Sequence, residues 1–320
     1  MKKIYFLAPN GKGGTYYYYK HITDYLKWEL LDEFEIIFCN SIIDYFKLHF
    51  IKSDAIFSII PFLFKPLFCK KYIYNLHGNY KIERRKFCFW LKLLYLSELN
   101  LWFANKIMLT SYYLADKLKF KDKYKDKIII IPNFIKEISN VNRSLNNNKI
   151  NLLTVTNSNF IEKWMWVYHL FKELNKITDI NFQWIIVMPW NNNKIIFDKF
   201  QNLAKNIEIK TYGFLDQDCL NTLYKSSDIF IYDSGLETRW WTIMEAMSFW
   251  LPIILLKNEL WWYIYPNSFI WNSFWKRLRE IIENYKQESD NSYNFIKEYE
   301  MEYILDKYLK NEILNNNTNI

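Results

Sequence analysis

Short, uninterrupted apolar runs alternate with amphipathic stretches from one end of this 320-residue chain to the other, and that alternation restricts it to one fold class. A strand that is apolar along its whole length needs cover on both faces, which helices between parallel strands provide. Candidate strands in the first half are Ile4–Ala8, Glu35–Cys39, Ala55–Ile60, Tyr72–Leu76, Lys106–Leu109 and Ile128–Ile131. The second half restarts with Leu152–Thr156, Gln183–Met188, Ile207–Lys210, Ile229–Tyr232 and Ile253–Leu256. Between the halves, KEISNVNRSLNNNK carries no apolar periodicity and reads as a linker. The expectation is α/β, with two doubly wound parallel-sheet domains of about 150 residues each. Their boundaries are 1–135, a linker over 136–149, and 150–289, followed by a helical region over 290–320 whose NNNTNI tail is expected to be disordered.

A hydrophobic fraction of 51% is ample for two cores. Cys39, Cys69, Cys88 and Cys219 show neither paired nor metal-type spacing, which fits reduced thiols in a cytosol. MKKIYFLAP has too short an apolar run for a signal peptide, and no uncharged apolar run approaches the roughly 18 residues of a membrane span. The net charge of +8 is uneven: the first 137 residues carry 23 basic against 13 acidic side chains, the rest 19 against 21. A basic first domain suits anionic lipid headgroups, a lipid-phosphate acceptor or nucleic acid; a solvated lysine surface is the plainer alternative. No nucleic-acid-binding signature accompanies the charge, so nucleic acid is not expected as a partner.

The segment Asp228 to Trp262, DIFIYDSGLETRWWTIMEAMSFWLPIILLKNELWW, concentrates the chemistry. Glu237 stands in the loop after an apolar strand, and Glu245, eight positions on, in the helix that follows, so both face one cleft at the C-terminal edge of a parallel sheet. A helix start there offers backbone N–H groups to phosphate while carboxylates accept from hydroxyls, a combination suited to a polyhydroxylated, phosphate-bearing ligand. PNGKGGTYYYY places Gly11, Gly13 and Gly14 between the first strand and a helix, where a phosphate could also approach, although any strand-to-helix turn uses glycine. Asp216-Gln217-Asp218 has the form of a metal-binding triplet but opens a helix, where Asp ordinarily caps; no metal is expected. The run Tyr16 to Tyr19 reads as core or interface and is given no functional role.

The same segment resembles the donor-binding core of retaining GT-B glycosyltransferases of the glycosyl transferases group 1 family, whose pattern is roughly S-x-x-E-G-x-G-x-x-x-x-E-A-M-x-x-G-x-P. Ser234, Glu237, Glu245, Ala246, Met247 and Pro252 fall on it. NLLTVTNSNFIEKW resembles the family's G-R-L-x-x-x-K-G run, with Lys163 on the lysine and Asn157 in place of the arginine; Ser111, Pro132 and Asn133 match a further run before the linker. The resemblance implies two Rossmann-like domains facing a central cleft, with the last helix crossing back onto the first domain. It implies a glycosyltransferase, hexosyltransferase-like, that moves a sugar from a nucleotide-diphosphate sugar to a glycan or lipid-linked acceptor, with retention and without metal or other cofactor. Glu245 would bind the ribose and Glu237 the donor sugar's hydroxyls. Lys163, with the backbone of Trp241, Thr242 and Ile243, would hold the diphosphate, and Arg239 would compensate for the missing arginine. Gly13 and Gly14 would lie near the diphosphate and His77, in YNLHGN, near the transferred sugar. Asn157 favours an alternative, a catalytically weak subunit that binds sugar nucleotides. A cytoplasmic protein, peripheral at the inner face of an anionic membrane, fits either.

Fourteen tryptophans against six glycines reverse the usual order, since average usage gives about 22 glycines in such a chain. Several tryptophans stand where the family has glycine: Trp164 after Lys163, Trp190 at the end of IIVMPW, Trp241 in the donor loop, Trp250 before Leu-Pro, and the pair Trp261-Trp262. The expectation is a UGA codon that the native host reads as glycine. The alternative, a genuine aromatic sugar-binding surface, does not explain the glycine deficit.

Overall fold

The computed structural model describes residues 1–9, 14–76, 90–117, 120–141, 143–145, 149–156, 161–188, 193–233, 241–256, 269–271, 273–310 and 313. The chain divides into two compact units, the first made of 1–136 with 301–320 and the second of 137–300.

In the first unit six parallel strands form one sheet: β1 (Lys2–Leu7), β2 (Phe34–Cys39), β3 (Ser53–Ser58), β4 (Cys69–Leu76), β5 (Lys106–Leu109) and β6 (Ile128–Ile130), in the order β2-β1-β3-β4-β5-β6. The helices between them are α1 (Gly14–Glu29), α2 (Ile42–Lys47), α3 (Trp90–Phe103), α4 (Tyr112–Lys117) and α5 (Phe120–Tyr124). β1 is buried from Ile4 to Leu7 because the sheet is covered on both faces. The tyrosine run explains itself in this packing. Tyr18 and Tyr19 of α1 turn fully inward, Tyr18 stacked on Phe134 at 5.0 Å and Tyr19 edge-on to Phe6 at 5.5 Å, while Tyr17 stays exposed.

The second sheet contains β7 (Ile150–Val155), β8 (Phe182–Val187), β9 (Ile207–Tyr212), β10 (Ile229–Tyr232), β11 (Ile253–Leu256) and β12 (Ile270–Trp271), again all parallel, in the order β12-β11-β10-β7-β8-β9. Its helices are α6 (Ile161–Leu174), α7 (Asn193–Leu203), α8 (Gln217–Ser226), α9 (Trp241–Ser248), α10 (Phe274–Glu283) and α11 (Tyr285–Lys297). Trp184 is the largest fully buried side chain among the described residues, and its indole N–H reaches Thr154 Oγ1 at 3.0 Å. β9 forms an edge and alternates accordingly: Glu208 and Lys210 punctuate IEIKTY, and Glu208 pairs with Lys149 and Lys210, charges that blunt an edge against further pairing.

Among the described residues, eleven of the twelve strands coincide with the expected apolar runs to within a few residues, and β12 is additional. The run expected as a linker belongs to the second unit from Glu137 onward, and so do residues 290–300. The chain rejoins the first unit at α12 (Met301–Ile304), where Met301 N–H donates to Ile135 O at 2.9 Å. A π-helical turn over Leu305–Lys310 follows; Asp306 accepts from Tyr25 and Lys310 pairs with Glu29 of α1. Among the described residues no helix is long and apolar enough to cross a membrane.

Candidate functional site

The strand order of the second sheet places a candidate site before any side chain is considered. β7, β8 and β9 run outward on one side, whereas β10 and β11 lie on the other side of β7, so the order reverses between β7 and β10. Connections leaving two such strands diverge, and the crevice outside their C-terminal ends is where open α/β sheets take ligands. α6 follows β7 and α9 follows β10, so the helix carrying Lys163 and the helix carrying Glu245 both start at this switch point. The first sheet has its own reversal between β1 and β3, and the glycine-bearing connection from β1 to α1 leaves from there.

α9 turns Ile243, Met244, Ala246 and Met247 inward and packs against β10, β11 and α11. That leaves Glu245 half-buried on its other face. Glu245 Oε2 accepts from the Tyr224 hydroxyl at 3.0 Å and Oε1 from Gln217 Nε2 at 3.4 Å, both donors standing on α8. Protein packed around the carboxyl pushes its pKa up to about 7, against the opposing pull of these two hydrogen bonds. The start of a helix is a place suited to an anion, and α9 starts at Trp241, Thr242 and Ile243.

Arg143 supports this arrangement. Its buried guanidinium donates to Phe249 O (2.5 Å), Ser227 O (2.5 Å) and Tyr224 O (2.6 Å), the carbonyls at the C-terminal ends of α9 and α8. A cation is favoured at helix C-termini, and burial lowers the pKa of this one. One side chain thus fixes the two helices whose Tyr224 and Glu245 meet. Nothing in KEISNVNRSLNNNK distinguishes Arg143 from a solvated residue; it is the one arginine in a run that also carries Lys136, Glu137 and Lys149.

Asp233, directly after β10, also escaped the sequence reading. Its Oδ2 lies 3.7 Å from Nδ1 of His169 on α6, bridging the two elements of the switch point, and burial raises its pKa to about 6 while His169 opposes the rise. Asp216 caps α8, accepting from Cys219 N–H at 2.8 Å, as its position suggested.

α9 ends in a turn of the Schellman type: Leu251 N–H donates to Ala246 O at 3.1 Å and Trp250 N–H to Met247 O at 2.8 Å. Trp250 holds this turn at φ 62°, the one non-glycine residue with positive φ among the described residues. Its indole N–H reaches Ser139 O at 2.7 Å and its ring stacks on Tyr293 at 4.1 Å.

The structure therefore brings Trp241, Thr242, Ile243 and Glu245 together on α9. Lys163 lies in the first turn of α6 and Gly14 opens α1. His77, Gly13, Glu237 and Arg239 lie outside the described residues, as do Asn157, Ser234, Trp190, Trp261 and Trp262.

No family model matches the chain, and no curated relative does. Solved structures match along its whole length. Sucrose-phosphate synthase from Thermosynechococcus elongatus is 12% identical, with 99% of each chain covered and a TM-score of 0.72. The lipopolysaccharide outer core galactosyltransferase WaaB is 12% identical at a TM-score of 0.66, covering 99% of this chain and 100% of its own. HepE from Anabaena, in complex with UDP and glucose, is 12% identical at 0.65, with both chains covered in full. The fold of this chain is GT-B, built from two parallel-sheet units in series.

Proposed function

We propose that the protein is a glycosyltransferase that moves a hexose-like sugar from a nucleotide-diphosphate sugar to a glycan or lipid-linked acceptor, with retention and without a metal. The observation that carries this reading is Glu245. A carboxyl oriented by Tyr224 and Gln217, one turn inside a helix that starts at the switch point, is placed to accept from ribose hydroxyls. The end-to-end likeness to sugar transferases, one of them holding UDP and glucose, agrees with it.

In this reading Lys163 and the N–H groups of Trp241, Thr242 and Ile243 carry the negative charge of the diphosphate as the bond between the anomeric carbon and the phosphate oxygen breaks. Their charge makes a metal unnecessary for the departing phosphate. Glu237 holds the sugar's hydroxyls, Arg239 supplements Lys163, and Gly13 and Gly14 let backbone approach the diphosphate. His77 stands beside the transferred sugar as positive charge develops on it. The acceptor hydroxyl then forms the new bond to that carbon, and its proton passes to the phosphate oxygen that departs with the nucleoside diphosphate. Preorganised donors dominate the rate in such a step. Titration calorimetry with UDP, GDP and ADP, followed by a screen of the corresponding sugars for hydrolysis, tests the reading; no binding of any of the three overturns it. Asn157 favours a second reading, a sugar-nucleotide-binding subunit of low activity, which binding without turnover of labelled donor would select.

We further infer that the tryptophans at glycine positions, Trp250 foremost, are glycines in the native protein through recoded UGA. A Schellman turn at φ 62° is a position that glycine fills without strain and an indole does not. Buried, hydrogen-bonded Trp184 is by contrast expected from UGG. UGG at 164, 241, 250 and 261 would end the idea. UGA there, with glycine masses in peptides from the native host, establishes it.

A further inference from the structure

α2 is a well-made helix that buries nothing. Ser41 and Asp44 form a reciprocal capping box at its start, with Asp44 N–H donating to Ser41 Oγ at 3.0 Å, so the helix is fixed by its cap; none of its residues is buried. Ile42, Ile43 and Phe46 instead face solvent at 52–68% exposure, and Phe50 continues their stripe at 59%. A soluble helix normally turns such a stripe inward.

The connection from β3 to β4 adds to the same surface. Leu63 N–H donates to Tyr45 Oη at 3.1 Å, Leu67 N–H to His49 O at 2.9 Å, and Phe64 packs on His49 at 4.4 Å and on Phe50 at 5.9 Å. Leu67 and Phe68, 61% and 59% exposed, therefore belong to one apolar surface with α2. An exposed apolar surface shared by two segments is not the scattered exposure found on any protein and marks an interaction site.

Charge identifies the occupant. From Ser41 to Lys71 the lysines are Lys47, Lys52, Lys65, Lys70 and Lys71, and the acids only Asp44 and Asp54. Both acids are engaged locally, Asp44 in the capping box and Asp54 with Lys70 at 2.9 Å. Lys47, Lys52 and Lys65 are exposed and form no ion pair among the described residues. Two copies of this face docked on each other would set lysine against lysine. An apolar stripe bordered by lysines fits the boundary between headgroups and acyl chains of an anionic bilayer.

We propose that α2 and the connection from β3 to β4 form a membrane-docking surface, with the apolar side chains entering an anionic lipid leaflet and the lysines resting on its headgroups. This does not depend on the sugar-transfer reading. Its test is flotation of the full chain with vesicles of phosphatidylcholine alone or with about one-quarter phosphatidylglycerol, at about 0.1 M and 0.5 M salt. Binding is expected to the anionic vesicles and to weaken at high salt. Phe46→Ser and Leu67→Ser, which change no charge, should each reduce it at least about tenfold. Lys52→Ala or Lys65→Ala should reduce it about fivefold at low salt. Trp102→Ser, an exposed aromatic of α3, and Glu245→Gln, in the nucleotide site, should leave it unchanged, with circular dichroism confirming that every variant is folded. Equal binding to neutral vesicles, indifference to Phe46→Ser and Leu67→Ser, or a dimer that Phe46→Ser dissociates would each overturn the proposal, the last by assigning the face to a second copy.

Discussion

Trp250 makes the recoding idea measurable without the native host. Replacing it by Ala or by Gly removes the same indole contacts: the hydrogen bond to Ser139 O, worth about 1 kcal/mol, and the stacked pair with Tyr293, worth about 0.5–1.5 kcal/mol. The two variants differ only in backbone. At φ 62° a Cβ costs about 1–2 kcal/mol, and glycine gives back about 0.5–1 kcal/mol of that through its freer unfolded chain. Trp250→Gly should therefore be the more stable by about 0.5–1 kcal/mol, or a few degrees in the melting of a unit of this size. Asn294, exposed within α11, serves as a control, because there Asn294→Ala should exceed Asn294→Gly by up to about 1 kcal/mol. Urea unfolding followed by hydrogen exchange at the Leu251 amide reads the second unit separately from the first. The sign at 250 must be opposite to the sign at 294. If Ala wins at both positions, the turn does not demand glycine and the argument from φ fails.

Glu245→Ala and Lys163→Ala should each weaken nucleoside diphosphate binding by about 1.5–3 kcal/mol in calorimetry, since each removes a charge-assisted contact, whereas Asp218→Ala should leave it unchanged. If Asp218→Ala abolished binding and added Mn²⁺ restored it, the metal-free assignment would be wrong. Glu245 and Asp233 have folded pKa values raised to about 7 and about 6, so the stability they contribute is complete below their unfolded values near pH 4 and is lost as pH rises through 6 to 7. Urea midpoints of the ligand-free protein should decline over that window, and Glu245→Gln should flatten the upper part of the decline. Arg143→Met should cost at least about 3 kcal/mol by leaving three carbonyls without their charged donor; a loss under about 1 kcal/mol would contradict the role given to it.

The fold was legible because its strands are apolar on both faces: Ile229–Tyr232 and Ile253–Leu256 announce buried parallel strands wherever they are placed, and both were located to the residue. β12 was not legible, because two residues carry no period. Glu245 could be found from its place in a pattern, but not its pKa, which depends on Tyr224 and Gln217 arriving from another helix. Asp233 and Arg143 were invisible for the same reason. A single carboxylate after a strand, or a single arginine in a polar run, acquires meaning only from residues distant in sequence: His169, 64 positions before Asp233, and Phe249, 106 positions after Arg143.

The inclusion of Glu137–Lys149 in the second unit follows from the same long-range contacts and changes how the site is understood. A flexible linker would leave α8 and α9 to be aligned only by their packing on the sheet. Arg143 instead draws the ends of both helices onto one guanidinium, while Ser139 N–H donates to Ser248 O at 2.9 Å and Ser139 O receives the Trp250 indole. The segment leaving the first unit is thus attached to the C-terminal ends of the two helices that carry Tyr224 and Glu245. Any displacement of residues 139–143 pulls on Tyr224 O and Phe249 O together, and the hydroxyl-to-carboxyl bond of 3.0 Å between Tyr224 and Glu245 is what such a pull would lengthen. Arg143→Lys, which keeps the charge but not the three-way fork, should therefore weaken nucleotide binding more than it lowers the urea midpoint of the second unit. Equal losses in both would reduce Arg143 to a stabilising residue with no part in shaping the site.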